Sequence, residues 1–177
     1  LEAWIRPASV DSDEEQLICS LGSSEPGVND CYHTYDLRLV AHRSSLRLYW
    51  SADDDGDLQC NSHLVQSLEL HASQMSHVAL VQQGETLSFY LDGALVDTED
   101  DAYISPRNWR DAFEAQLFTD GVSRYVPGPS WDGDVLLVAM YSASLTAGQV
   151  ASNFQAKLPN SLPVVRDMVV RLAEDGE

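Results

Sequence analysis

Residues 51–60, SADDDGDLQC, crowd Asp53, Asp54, Asp55 and Asp57 around Gly56. Hard carboxylate oxygens gathered in this way resemble the front of a calcium loop. The EF-hand frame fails, however: with Gly56 at the sixth place, Ser62 falls where the bidentate Glu belongs. A second acidic turn, SWDGD, adds Asp132 and Asp134. Asp53, Asp55, Asp57, Asp132 and Asp134 are therefore the candidate metal ligands, with calcium the one cofactor they would suit. The alternative at both places is a solvated acidic turn. The histidines, His33, His42, His63, His71 and His77, never occur at paired ligand spacing, which argues against zinc. Glycoside hydrolysis needs two carboxylates about 5–10 Å apart across a cleft, and the acidic runs DDDGD and EDD read as turns without the flanking alternation of a strand. Nor does any GxSxG elbow or His–carboxylate cluster organise a nucleophile. No catalytic residue is assigned. Among the aromatics, Trp4, Tyr49 and Tyr90 fall in alternating runs, whereas Trp109, Tyr125 and Trp131 lie on or beside loops. Those last three are the candidate ligand platform, because an exposed aromatic face can stack on a sugar ring.

The whole chain constrains what such residues can meet. Its 177 residues suit one domain plus a short extra piece, and 44% hydrophobic with 8% aromatic residues is ordinary for a folded protein. A formal net charge of −18 disfavours a phosphate backbone or an anionic membrane surface as partner. No apolar run approaches the roughly 18 residues a bilayer-crossing helix needs. A protein or glycan ligand, or neighbouring modules of the same chain, remain as expected partners, with no nucleic acid and no membrane insertion. Cys19, Cys31 and Cys60 lack CxxC spacing; one disulfide with a free thiol and three reduced thiols both stay open. Leu1 stands where a start Met would be, so the chain is expected to be cut from something larger.

The elements that must hold these residues are strands. LEAWIRP sets Leu1, Ala3 and Ile5 against Glu2, Trp4 and Arg6; YDLRLVA sets Tyr35, Leu37 and Leu39 against Asp36 and Arg38; SLRLYWS sets Leu46, Leu48 and Trp50 against Arg47 and Tyr49. Such period-two alternation marks half-buried strands. Further short apolar runs, QLICSL, LVQSLEL, HVALVQ, LSFYL, ALVD, EAQLF and VLLVAMY, are separated by Gly, Pro, Asp and Ser. The expected fold class is all-β, a two-sheet antiparallel sandwich. In LSFYLDGALVD, Asp92-Gly93 has the composition of a type I′ hairpin turn, in which both central residues take positive φ. Helix is expected only near 146–154, where Thr146 can cap a turn that puts Val150 and Phe154 on one face. Pro106, Pro127 and Pro129 make the stretch around EAQLF long loops. After a boundary near 158–163, with the domain taken as 1–160, residues 161–177 read as a linker and the first strand of a following β-module, a strand with little in this chain to pair with.

Three motifs in order resemble laminin-G-like domains of the concanavalin A-like jelly-roll class: LEAWIRP at 1–7, SHVALVQQGETLSFYLDGALVD at 76–97, and WDGDVLLVAMYSASLTAGQVASNF at 131–154. Where that family commonly has Asp then Glu in the closing strand, this chain has Leu136 and Leu137. The tail LPVVRDMVVRLAEDGE is similar to the opening of cadherin-like or immunoglobulin-like modules. The resemblance implies a jelly roll and an extracellular or cell-surface setting. The expected function is that of a non-catalytic binding or structural module of a larger multidomain protein, serving adhesion or assembly. The alternative is calcium-assisted glycan binding through the acidic loops and the loop aromatics, and a glycoside hydrolase comes third.

Overall fold

A computed structural model describes residues 1–23, 35–54, 57–65, 68–100, 113–117, 131–157 and 168–171. Eleven strands and one helix lie within them: β1 (Glu2–Pro7), β2 (Gln16–Ser23), β3 (Tyr35–His42), β4 (Ser45–Asp54), β5 (Asp57–Val65), β6 (Ser76–Gln83), β7 (Thr86–Leu91), β8 (Ala94–Glu99), β9 (Phe113–Leu117), β10 (Gly133–Ala139), α1 (Ala147–Ala156) and β11 (Met168–Arg171). Two antiparallel sheets result, one in the order β10-β1-β6-β7-β8 and the other β11-β9-β2-β3-β4-β5. This is the expected jelly-roll sandwich.

Alternation decides which side chains meet between the sheets. Ala3, Ile5, Val78, Leu80, Leu87 and Phe89 of one sheet face Ile18, Cys19, Leu37, Leu39, Leu46, Leu48 and Trp50 of the other, in one continuous core. Burying one such aliphatic side chain contributes about 1.5–3 kcal/mol. Cys19 is a free, buried thiol, pushed up to about 12 by that burial. It enters the core because β2 bulges between Leu17 and Cys19, which lets Ile18 and Cys19 both face inward. LVQSLEL is not one strand: β5 ends at Val65, and Leu68 and Leu70 reach the core from irregular backbone, tied by the Leu70 N–H donating to the Ser44 carbonyl at 2.7 Å.

The five-stranded sheet has a second buried face. Glu2 and Trp4, on the face of β1 opposite Leu1, Ala3 and Ile5, are 3% and 8% exposed because α1 packs over them. Thr146 caps α1 as expected, its Oγ1 accepting from the Gln149 N–H at 3.2 Å while Gln149 Oε1 accepts from the Thr146 N–H at 2.8 Å. Val150 seals against Ala79, Val81 and Tyr90. At the Asp92-Gly93 turn both φ angles are positive, 50° and 80°. A Cβ on Gly93 would lie 3.1 Å from Phe154 and 3.2 Å from the Ala151 backbone, so glycine there serves the helix contact as well as the turn.

The expectation that the tail strand opens a following module and has little in this chain to pair with is corrected. Met168–Arg171 pairs antiparallel with β9, from Met168 opposite Leu117 to Arg171 opposite Glu114, and edges the six-stranded sheet. β9 itself begins one residue earlier than EAQLF suggests.

Candidate functional site

The candidate metal ligands are not gathered into a site among the described residues. Asp53 and Asp57 sit at the tip of the β4–β5 hairpin, where Asp54 is opposite Asp57 and Asp53 opposite Leu58, and Asp55 lies outside the described residues. Asp132 is exposed, while the Asp134 carboxylate accepts from Arg6 Nε at 2.9 Å and is occupied as an ion pair. No three His, Cys, Asp or Glu side chains among the described residues are placed to hold one ion. Of the loop aromatics, Trp109 and Tyr125 lie outside the described residues. Trp131 belongs to the core and is 7% exposed, which leaves its ring no open face for stacking.

Two other polar constellations are assembled instead. The first lies under α1. Glu2 of β1 accepts from Tyr141 Oη at 2.6 Å and from Asn153 Nδ2 at 2.9 and 3.1 Å, and its Oε1 lies 3.3 Å from His77 Nε2. Trp4 stacks on Phe154 with centroids 5.8 Å apart, and the His77 ring lies 5.0 Å from Trp4. Burial pushes His77 below its ordinary range, against the opposing pull of Glu2 and Asp92. Donation to Glu2, with burial, raises the Tyr141 hydroxyl to about 12. Asp92 completes this end: its Oδ1 accepts from the His77 N–H at 2.8 Å, and its own N–H donates to the His77 carbonyl at 2.8 Å. With Glu2 and His77 both almost fully buried, this cluster fastens a helix to a sheet.

The second lies on the outer face of the six-stranded sheet. Because Leu37, Leu39, Leu46 and Leu48 point into the core, Arg38, Arg47 and Tyr49 project outward. Strand register lines up Ser20 of β2, Arg38 of β3 and Tyr49 of β4 in one transverse row. Every residue type in that row can hydrogen-bond. The Arg38 guanidinium carbon lies 5.4 Å from the Tyr49 ring centroid and that of Arg47 lies 6.0 Å from it, within cation–π range. Ser20 is fully buried, and its Oγ has no hydrogen-bond partner among the described residues.

At the edge of this row Glu15, just before β2, meets Arg47 and Tyr49. Arg47 Nη1 donates to Glu15 Oε1 at 2.6 Å, and Tyr49 Oη lies 2.7 and 2.9 Å from the two carboxylate oxygens. Arg47 Nη1 also donates to Tyr49 Oη at 3.2 Å. Burial chiefly, and the contact with Glu15, raise the Tyr49 phenol above its ordinary value, so at neutral pH it remains a donor. The Arg47 and Glu15 side chains are 29% and 30% exposed. Arg47 and Tyr49 can therefore offer a cationic fork and a phenol hydroxyl to a polar ligand.

Sequence reasoning set Arg38, Arg47 and Tyr49 on polar strand faces but did not join them into a site. The available signal was local: in a chain of net charge −18 with ten basic residues, Arg38, Arg43 and Arg47 all fall on one hairpin.

Residues 1–151 match the family model of the Concanavalin A-like lectin/glucanases superfamily. No curated protein sequence matches the chain. Among solved structures it is similar to the CBM40 module of the Ruminococcus gnavus IT-sialidase bound to α2,3-sialyllactose: 15% identity, TM-score 0.58, covering 85% of this chain and 79% of that one. A heptameric SAP-like pentraxin from Limulus polyphemus gives 16% identity and TM-score 0.52, over 99% of this chain and 78% of that one. The ligand-binding domain of Botulinum neurotoxin serotype D, in complex with N-acetylneuraminic acid, gives 11% identity and TM-score 0.54 over 88% of this chain but only 35% of that one.

Proposed function

The chain belongs to the Concanavalin A-like lectin/glucanases superfamily, and from that membership we propose that it is a non-catalytic glycan-binding module whose site is the outer face of the six-stranded sheet at Arg38, Arg47 and Tyr49. The observation that carries this reading is the flanking of the Tyr49 ring by two guanidinium groups. The proposed ligand is a sugar bearing a carboxylate or sulfate. A guanidinium binds either group through paired N–H donors, and Tyr49 would supply a hydroxyl contact to the ring. Supporting this choice, two proteins of similar fold are described with sialyllactose and with N-acetylneuraminic acid.

No catalytic role is proposed, since two of the solved structures of similar fold are described as a carbohydrate-binding module and a ligand-binding domain. The wider proposal is a module of a larger extracellular or cell-surface protein. The flanking gene sequence tests it: neighbouring β-modules and a secretion signal are expected, and an open reading frame confined to this module would overturn it.

A glycan array followed by titration calorimetry tests the site. Sialylated, uronic-acid or sulfated glycans should bind, neutral ones should not, and Arg38→Ala or Tyr49→Ala should weaken binding at least about tenfold, or about 1.4 kcal/mol. Retention of full affinity by both folded variants would move the site elsewhere.

A further inference from the structure

In the free protein the patch just described already holds a carboxylate. Glu15 accepts from Arg47 Nη1 at 2.6 Å and lies within 2.9 Å of Tyr49 Oη through both oxygens. An external sugar carboxylate would ask for those same donors. We infer that Glu15 is a built-in competitor, a specificity-determining residue that fills the anion seat of Arg47 and Tyr49 until a ligand carboxylate or sulfate displaces it. The inference rests on the glycan-binding reading and adds what that reading lacks, a reason for neutral sugars to be refused. A neutral hydroxyl entering the seat would leave the Arg47 guanidinium without its anion, whereas an anion exchanges like for like.

Two features make the exchange feasible. The Arg47–Glu15 pair is about 30% exposed on both sides, so solvent and an incoming anion can reach it. The loop that carries Glu15 is also fastened by other contacts. Arg43 N–H donates to the Ser12 carbonyl at 3.3 Å, Arg43 Nε donates to Asp13 Oδ1 at 2.8 Å, and Ser12 Oγ bonds Glu14 at 3.1 and 3.2 Å. Glu15 can swing its side chain out while the backbone around it stays on the β3–β4 turn.

The test is titration of α2,3-sialyllactose, a sulfated lactose and lactose into wild type, Glu15→Gln, Glu15→Asp, Glu14→Gln and Arg47→Ala, each first checked for folding by circular dichroism. Emptying the seat with Glu15→Gln should tighten the two anionic sugars about tenfold. Glu15→Asp, whose shorter arm cannot span Arg47 and Tyr49 together, should tighten them in the same direction. Glu14→Gln, which removes an equal charge one residue away, should stay within about twofold of wild type. Arg47→Ala should lose the anionic sugars. If Glu15→Gln and Glu15→Asp bind no better than wild type while Arg47→Ala loses binding, Glu15 is a buttress and the inference fails while the glycan-binding reading stands. Tightening by Glu14→Gln equal to that by Glu15→Gln would assign the effect to overall charge and also overturn it. If no folded variant binds any of the three sugars, the glycan-binding reading fails and takes the inference with it.

Discussion

Substituting Asp92 separates its two roles. Asp92→Asn keeps both the tolerance of positive φ and an oxygen to accept the His77 N–H, so stability should change by no more than about 0.5 kcal/mol. Asp92→Ala keeps neither and should lose about 1–3 kcal/mol in urea unfolding, the range for a buried donor left without its acceptor. Gly93→Ala should lose about 1–2 kcal/mol, since it combines a disfavoured φ of 80° with a Cβ pressed on Phe154. The turn was legible in the sequence because Asp-Gly is a local signal. The hold on His77 was not, since it joins residues 15 apart in a pairing that only the folded hairpin creates. Arg47 and Tyr49 follow the same division: alternation placed them on the polar side of β4, but nothing in the spacing says that Glu15, 32 and 34 residues away, comes to meet them.

At the scale of elements, α1 and the sheet face it covers can be perturbed apart from the proposed binding face. Thr146→Ala removes a capping box and should lower stability by about 1 kcal/mol, with glycan affinity unchanged because α1 packs on the other sheet. The same contact responds to pH. Burial holds His77 below its unfolded value of about 6.5, so the unfolded chain takes up the proton first as pH falls. Its contribution to stability is complete above that value and is lost progressively below it. Glu2, Asp92 and Tyr141 are the ionisable groups around it. Urea midpoints compared near pH 7.5 and pH 5.5 should fall for wild type and fall less for His77→Gln. Helix α1 was legible from its cap and from the spacing of Val150 and Phe154. Its coverage of Glu2 and Trp4 was hidden, because alternation gives the faces of a strand and not what lies on top of them. The tail strand shows the same limit: Val169 and Val170 announced a strand, but its partner β9 lies about 50 residues upstream behind a proline-rich stretch.

For the whole molecule, the acidic balance and the strand count were plain from composition and punctuation, and the sandwich followed from them. What the acidic turns do was not legible, since a solvated hairpin tip and a calcium loop use the same residues. The solvated reading of Asp53, Asp55 and Asp57 predicts a melting temperature unchanged within about 1 °C on adding about 1 mM calcium; an upward shift would install a cation there. The place of β1 has a further consequence, in the order of assembly. β1 lies between β6 and β10, so residues 2–7 find their partners only at 76–83 and 133–139. The run β2-β3-β4-β5, by contrast, pairs each strand with its neighbour in sequence. Contacts between distant segments are slow to form because the intervening loop must first be closed. We predict that pulse-labelled hydrogen exchange during refolding will protect Leu39 and Leu48 before Ala3 and Ile5. Of this sandwich's strands, the one synthesised earliest would thus be among the last to settle, and until then its apolar face is open to chaperones or to another unfinished copy.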